Sequence, residues 1–212
     1  MITSTVVENS TVSRSSQFIT SKINFEEHYT SFIKTNAKNH LIKEVNKYLT
    51  TEFPECNLTP EFLVNNCIKY NIDIVFVLSQ GIVESHLGTK GRAKYTNSVW
   101  NVGSFDNGKI MYIYKTPDES IEPYLSLLKE KYLISIIKRG NKVDTIKRDV
   151  SYFFKKGYCN IIGKRFAANT RYEQNILTTM ENINSKTNIA LYQSILKMDN
   201  DKILESFLYT EK

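Results

Sequence analysis

Two of the four prolines in this 212-residue chain directly follow a threonine, in Thr59-Pro60-Glu61 and in Thr116-Pro117-Asp118-Glu119. Threonine accepts hydrogen bonds at an N-cap, and proline suits the first helical position because its missing N–H has no partner there. Each pair therefore fixes a helix start. The second is a full capping box, with Glu119 placed to bond back to the cap N–H. From these anchors the apolar spacing predicts one helix over Pro60–Tyr70, carrying Phe62, Leu63, Cys67 and Ile68. It predicts another from Thr116 to about Lys138, with Ile121, Leu125, Leu128, Tyr132 and Ile136 on one face, stopped by Gly140-Asn141.

The same period predicts helices over Asp73–Ser85, Val143–Lys156 and Arg171–Ile183, and one or two more from Lys186 to Leu208. Phe25–Leu49 reads as one or two helices broken around Asn36–Asn39. Gly88–Lys109 reads as an exposed loop, and Lys109–Tyr114 as a short strand. With no βαβ alternation and no internal repeat, the fold class is mainly α with a small irregular or β insert.

Composition narrows the class further. Hydrophobic residues make up 41% of the chain, and 13 Tyr and 11 Phe supply a core, so wholesale disorder is excluded. Met1–Ser21 differs, with ten Ser or Thr and only two charged residues. Such a stretch buries too little apolar area to offset its own ordering entropy, and it reads as a flexible arm that orders against a partner. The expected organisation is an arm over 1–24, a domain over 25–184 and a C-terminal helical extension over 185–212.

The net charge of +6 either suits an anionic partner or serves solubility. It is spread along the chain, without the basic stripe interleaved with aromatics that marks a nucleic-acid surface, so no nucleic-acid partner is expected. Cys56, Cys67 and Cys159 show no C-x-x-C spacing and read as free thiols of a reducing compartment, although Cys56 and Cys67 are spaced to allow a bridge. The three His residues lack any ligand pattern, so neither metal nor cofactor is expected. No 18-residue apolar run and no signal-peptide pattern occur, which predicts no membrane insertion and export, if any, by another route.

The stretch richest in chemistry is Leu78-Ser79-Gln80-Gly81-Ile82-Val83-Glu84-Ser85-His86-Leu87-Gly88. Glu84 lies near the end of an otherwise apolar helix, with Gln80, Gly81 and Gly88 on its face. A carboxyl group partly withdrawn from water there has the character of a general acid for glycosidic-bond cleavage; the alternative is an ordinary helix-end glutamate. Glu119 is accounted for by its capping box. His86 lies about 200° around the helix from Glu84, which separates the two.

Gln80–Gly88 resembles the A-Q-x-x-L-E-S-x-W-G segment of the peptidoglycan N-acetylglucosaminidase family, which includes the flagellar rod-associated muramidases and many bacterial and phage wall hydrolases. Thr96-Asn97-Ser98-Val99-Trp100-Asn101-Val102-Gly103 is similar to the family's T-N-N-L-F-G-I-K. Tyr112–Ile121 is similar to F-R-x-Y-x-S-x-E-E-S-F, and Phe166-Ala167-Ala168-Asn169-Thr170-Arg171-Tyr172 to Y-A-T-D-P-x-Y. The four segments fall in the family's order.

The resemblance implies a lysozyme-like helical fold and hydrolysis of a β-1,4 glycosidic bond after N-acetylglucosamine, with peptidoglycan glycan strands as partner and Glu84 as catalytic acid. Asp106, in Ser104-Phe105-Asp106-Asn107-Gly108, is either the second carboxylate or a tight-turn residue. Without it, the substrate's own N-acetyl oxygen would attack and Tyr172 would orient that group. Trp100 is either a sugar platform or core. Asn97 and Asn101 either bond substrate N-acetyl groups or hold the loop, and Tyr112 lines the same cleft. Phe166 stands where the family has its first Tyr. The Ser/Thr-rich arm and C-terminal extension suggest a rival role: a structural or adaptor component of a phage virion or flagellar rod, carried in the virion or the host cytoplasm before delivery to the wall.

Overall fold

The computed structural model describes residues 6–103, 108, 110–139, 142–158, 165–167, 169 and 171–208. Side chains over 6–23 and 135–144, and at a few further positions, lie outside that description. Among the described residues the chain is mainly helical: α1 (Val6–Glu52), α2 (Pro60–Tyr70), α3 (Ile74–Ser85), α4 (Ala93–Thr96), α5 (Ile121–Leu128), α6 (Ser151–Lys156), α7 (Tyr172–Lys186), α8 (Ile189–Lys197) and α9 (Asn200–Leu208). Two strands, β1 (Ile134–Arg139) and β2 (Lys142–Lys147), pair antiparallel with Ile134 opposite Lys147 and Arg139 opposite Lys142. No single helix among the described residues is long and apolar enough to cross a membrane.

The chain divides into two units, one of Met1–His40 with Tyr192–Lys212 and one of Leu41–Leu191. Within the first, His40 stacks on Tyr192 with centroids 5.2 Å apart, and Lys34 Nζ donates to Asn200 Oδ1 at 2.9 Å.

Two expectations fail along α1. The helix runs through Asn36–Asn39 unbroken, and the stretch expected to be a flexible arm is helical from Val6 onward. Extending an existing helix adds a hydrogen bond for each residue ordered and avoids the cost of a new nucleus. Poor helix formers are thus carried by a segment already anchored at Ala37, Leu41, Val45, Tyr48 and Leu49, all buried.

Within the Leu41–Leu191 unit, α3 is the central element. Asp73 caps it by accepting from the Phe76 N–H at 2.8 Å, and Ile74 through Gly81 are all buried. A helix apolar on every side has to be surrounded. Around it lie Leu63, Val64 and Cys67 of α2, Ile121, Tyr124, Leu125 and Leu128 of α5, and Tyr172, Ile176 and Ile183 of α7. At the far end of α7, Lys186 Nζ meets Glu52 at 2.5 Å and the Asn188 N–H donates to Glu44 at 2.9 Å, fixing it to the second half of α1.

The helix expected from Thr116 to Lys138 is shorter and more broken. It opens with a 3₁₀ turn over Pro117–Ser120, continues as α5, and ends in a π turn over Lys129–Leu133. The tighter first turn shifts the capping bonds: Glu119 Oε2 accepts from the Lys115 N–H at 2.9 Å, and Thr116 makes no side-chain cap bond. Asp118 accepts from the Thr59 N–H at 2.8 Å, so this turn also secures the start of α2.

Beyond the π turn, Ile134–Arg139 is strand, and Lys142–Lys147 is strand where the helix Val143–Lys156 was expected, leaving only Ser151–Lys156 helical. Ile134, Ile136, Ile137, Val143, Thr145 and Ile146 are β-branched, a composition that favours an extended backbone as strongly as the spacing suggested a helix. The strand expected over Lys109–Tyr114 does not form among its described residues. That run is held by Met111 N–H to Gly103 O and Tyr114 N–H to Thr96 O, both at 2.8 Å.

Gly81 is where the core tolerates least. A Cβ there would lie 2.9 Å from Leu87 Cδ2, 3.1 Å from Trp100 Nε1 and 3.3 Å from Val99 Cγ1. Leu87, Val99 and Trp100 are buried and have little room to yield. Overpacking costs about 1–3 kcal/mol, more than the roughly 0.5–1 kcal/mol that alanine gains over glycine in a helix. Gly81→Ala should therefore lower the urea unfolding free energy by about 1 kcal/mol; a stabilised variant would contradict this packing.

Candidate functional site

Glu84 lies in the last turn of α3, half-buried. After Ser85 the chain turns sharply: His86, Leu87 and Gly88 have φ of 53°, 54° and 85°. Left-handed backbone is unfavourable for a residue with a Cβ, and burial of Leu87 holds it here. Ser85 ties this turn to the following loop, its Oγ donating to Val99 O at 2.5 Å and accepting from the Gly88 N–H at 2.7 Å. The serine of the Glu-Ser pair is thus a buried brace for the helix end. His86 packs edge-on against Phe53, with centroids 4.8 Å apart, and burial, then Lys90, pushes its pKa down.

The Glu84 carboxylate is gripped from two sides. Oε1 accepts from the Tyr172 hydroxyl at the start of α7. Oε2 lies 3.2 Å from Asn101 Nδ2, which also donates to the Glu84 carbonyl at 2.9 Å. Tyr172 is 5% exposed. Burial first, then the Glu84 charge, holds its hydroxyl far above the usual phenol range, so it remains a proton-bearing donor.

Behind this pair sits Gln80, one turn earlier on α3 and fully buried. Its Nε2 donates to the Tyr172 oxygen at 3.0 Å, and its Oε1 accepts from Tyr124 at 2.6 Å and Tyr158 at 3.1 Å. Two aromatic stacks deliver these hydroxyls. Trp100 lies flat on Tyr124, with centroids 4.5 Å apart, and its Nε1 donates to Val77 O at 2.9 Å. Tyr158 stacks on Phe166 at 4.6 Å, and Phe166 on Tyr172 at 5.7 Å. Burial raises the pKa of both Tyr124 and Tyr158 well above the phenol value.

The sequence-expected residues separate on this geometry. Glu84, Tyr172 and Asn101 come together. Trp100 is 1% exposed and offers no face to a sugar, so it is core and not a platform. The Asn97 amide donates to Tyr114 O at 2.9 Å and Lys115 O at 3.2 Å, which is the loop-holding alternative. Tyr112 is 47% exposed, and Tyr95 beside this loop is 80% exposed. Asp106 and Cys159 lie outside the described residues; Cys56 and Cys67 are not bridged to one another.

Tyr124 and Tyr158 carried no sequence signal as site residues, and Gln80 was read only as a neighbour of Glu84 on its helix face. A buried glutamine on an otherwise apolar helix face was the one available cue, since a buried amide needs partners. Two clefts, of about 260 and 340 Å³, flank the loop after α3 and share Glu55 and Thr89; Glu84 lines neither. Among the described residues no group of three or more His, Cys, Asp or Glu is placed to hold a metal ion.

Tyr172 is aligned by its neighbour. Glu173 accepts from the Tyr158 N–H at 2.8 Å and from Arg165 Nη2 at 2.5 and 2.7 Å. Burial pushes the Glu173 pKa up, but the bonds from backbone N–H groups and Arg165 outweigh it, and the net shift is downward. A lowered folded pKa means stability that is complete above the unfolded value of about 4.3 and lost as pH falls through the lower folded value. Glu173→Gln should therefore lower the Tm at neutral pH, and the gap to wild type should close as pH drops below about 4. Thermal melts across pH measure it; a gap independent of pH would contradict the ion pair.

No protein-family model matches the chain, and no curated protein matches it.

Proposed function

We propose that the chain is a peptidoglycan hydrolase with a lysozyme-like domain, cleaving a β-1,4 glycosidic bond after N-acetylglucosamine with Glu84 as proton donor. The observation that carries this reading is the half-buried Glu84 carboxyl at the end of a buried helix, with the Tyr172 hydroxyl on one oxygen and the Asn101 amide near the other. A carboxyl group held rigidly at the edge of an apolar core is suited to delivering a proton to a leaving-group oxygen. The four ordered segments that resemble the peptidoglycan N-acetylglucosaminidase family support the substrate class.

In this mechanism Glu84 protonates the glycosidic oxygen as the bond to the anomeric carbon breaks. Water then completes the hydrolysis, activated by Asp106 or following attack by the substrate's N-acetyl oxygen. Tyr172 is committed to Glu84 in the structure, so its part is to hold the acid. The sugar-stacking role falls to exposed rings, Tyr112 and Tyr95. A second reading, a structural component of a phage virion or flagellar assembly, is favoured by Phe25 and Phe32, 60% and 63% exposed on α1.

Glu84→Gln should reduce wall hydrolysis by about 10²-fold or more, because the amide cannot supply the proton. Its oxygen can still accept from Tyr172, so the melting temperature should change little. A zymogram on bacterial walls with paired melts measures both; activity within a few-fold of wild type removes the assignment, and an inactive wild-type protein favours the structural reading. Asp106→Asn tests the second step. A comparable loss with an inverted product anomer by NMR assigns Asp106 as the base, whereas a silent change with retention assigns substrate assistance.

A further inference from the structure

Gln80 and Tyr172 belong to a chain of hydrogen bonds in which each bond sets the direction of the next. The Tyr124 and Tyr158 hydroxyls are fully buried, and among the described hydrogen bonds Gln80 Oε1 is the acceptor of both. An amide oxygen has two lone pairs and takes both protons. The reversed amide would turn its N–H groups toward two phenols and strand both of their protons in the core, which is costly. The amide orientation is therefore fixed by the tyrosines. Its nitrogen, which only donates, then faces the Tyr172 oxygen at 3.0 Å. That oxygen accepts, and the single Tyr172 proton goes to Glu84 Oε1.

We propose that Gln80 is a positioning residue whose amide, locked by Tyr124 and Tyr158, keeps the Tyr172 hydroxyl a standing donor to Glu84. The proposal deepens, and rests on, the reading of Glu84 as the proton donor. With Oε1 held as an acceptor, the proton that Glu84 delivers is carried on Oε2. Asn101 Nδ2 retains the Glu84 carbonyl, its nearer acceptor, when that oxygen is protonated. Among the described residues, Tyr124 of α5, Tyr158 and Tyr172 of α7 feel the Glu84 charge; the first two turn their hydroxyls to Gln80 and the third to Glu84 itself.

A hydrogen bond donated to a carboxylate favours its charged form, and a hydroxyl that itself accepts a bond is the stronger donor. The test is the carboxyl titration of Glu84 by carbon-13 NMR on the full chain, in wild type, Tyr172→Phe, Gln80→Leu and the double variant. Tyr172→Phe should move the Glu84 midpoint up by about 1 pH unit, and Gln80→Leu by roughly half as much. In the Tyr172→Phe background Gln80→Leu should add nothing, because Gln80 reaches Glu84 only through that hydroxyl. Additive shifts, or no shift with Gln80→Leu, overturn the proposal.

If Gln80→Leu unfolds because two phenols lose their acceptor, Gln80→Leu with Tyr124→Phe and Tyr158→Phe removes the stranded groups and carries the same prediction. The titration needs no wall substrate. A coupled titration in an inactive protein would therefore defeat the hydrolase reading alone, and an uncoupled titration in an active one would defeat this proposal alone.

Discussion

Much of the Leu41–Leu191 unit depends on one amide that has no access to water. Gln80 sits in the most enclosed helix of that unit, where an unpaired polar group would cost more than most single contacts contribute. Its oxygen takes the protons of two phenols and its nitrogen donates to a third. Because those phenols come from α5, the Tyr158 segment and α7, satisfying one side chain draws three distant pieces of chain onto α3. Partly satisfied buried networks are worse than apolar cores, so the requirement also specifies which arrangement of these pieces is native.

The end of α3 shows the same economy on a smaller scale. Ser85 turns inward to the Val99 carbonyl and the Gly88 amide, while Glu84, one residue earlier, turns to Tyr172 and Asn101. Successive helical residues point about 100° apart, so an adjacent Glu-Ser pair can serve both the solvent-facing chemistry and the internal brace. The strained left-handed run that follows is the cost of turning the loop back sharply enough to bring Asn101 under the carboxylate.

What could be read from the residues depended on how local the determining physics was. The start of α2 was legible because Thr59 and Pro60 are adjacent, and α3 was legible from its apolar spacing alone. The hairpin at Ile134–Lys147 was not, since an isoleucine-rich stretch satisfies both helical spacing and strand propensity, and the π turn that decides between them has no residue signature. The extension of α1 was missed because the composition of Met1–Ser21 was weighed alone, whereas cooperativity lets a helix continue into poor formers. The resemblance put Glu84 and Tyr172, 88 residues apart, in one site, but gave Tyr172 the substrate's N-acetyl group as partner and not the carboxyl it bonds. The role of Gln80 was invisible because its partners lie 44, 78 and 92 residues away. Trp100 was ambiguous because a lone indole in a loop fits a core or a surface equally well.

The position of that indole has an optical consequence. Trp100 is the chain's only tryptophan, and it is buried, lies flat on Tyr124 and bonds to the backbone of α3 at Val77. Its emission therefore comes from a single dry environment one side chain removed from Gln80. Excited-state energy from the surrounding phenols drains toward it, and a quencher dissolved in water does not reach it. The protein thus carries its own fluorescent reporter at the root of the hydrogen-bond chain, with colour and lifetime that register any loosening there without an attached dye.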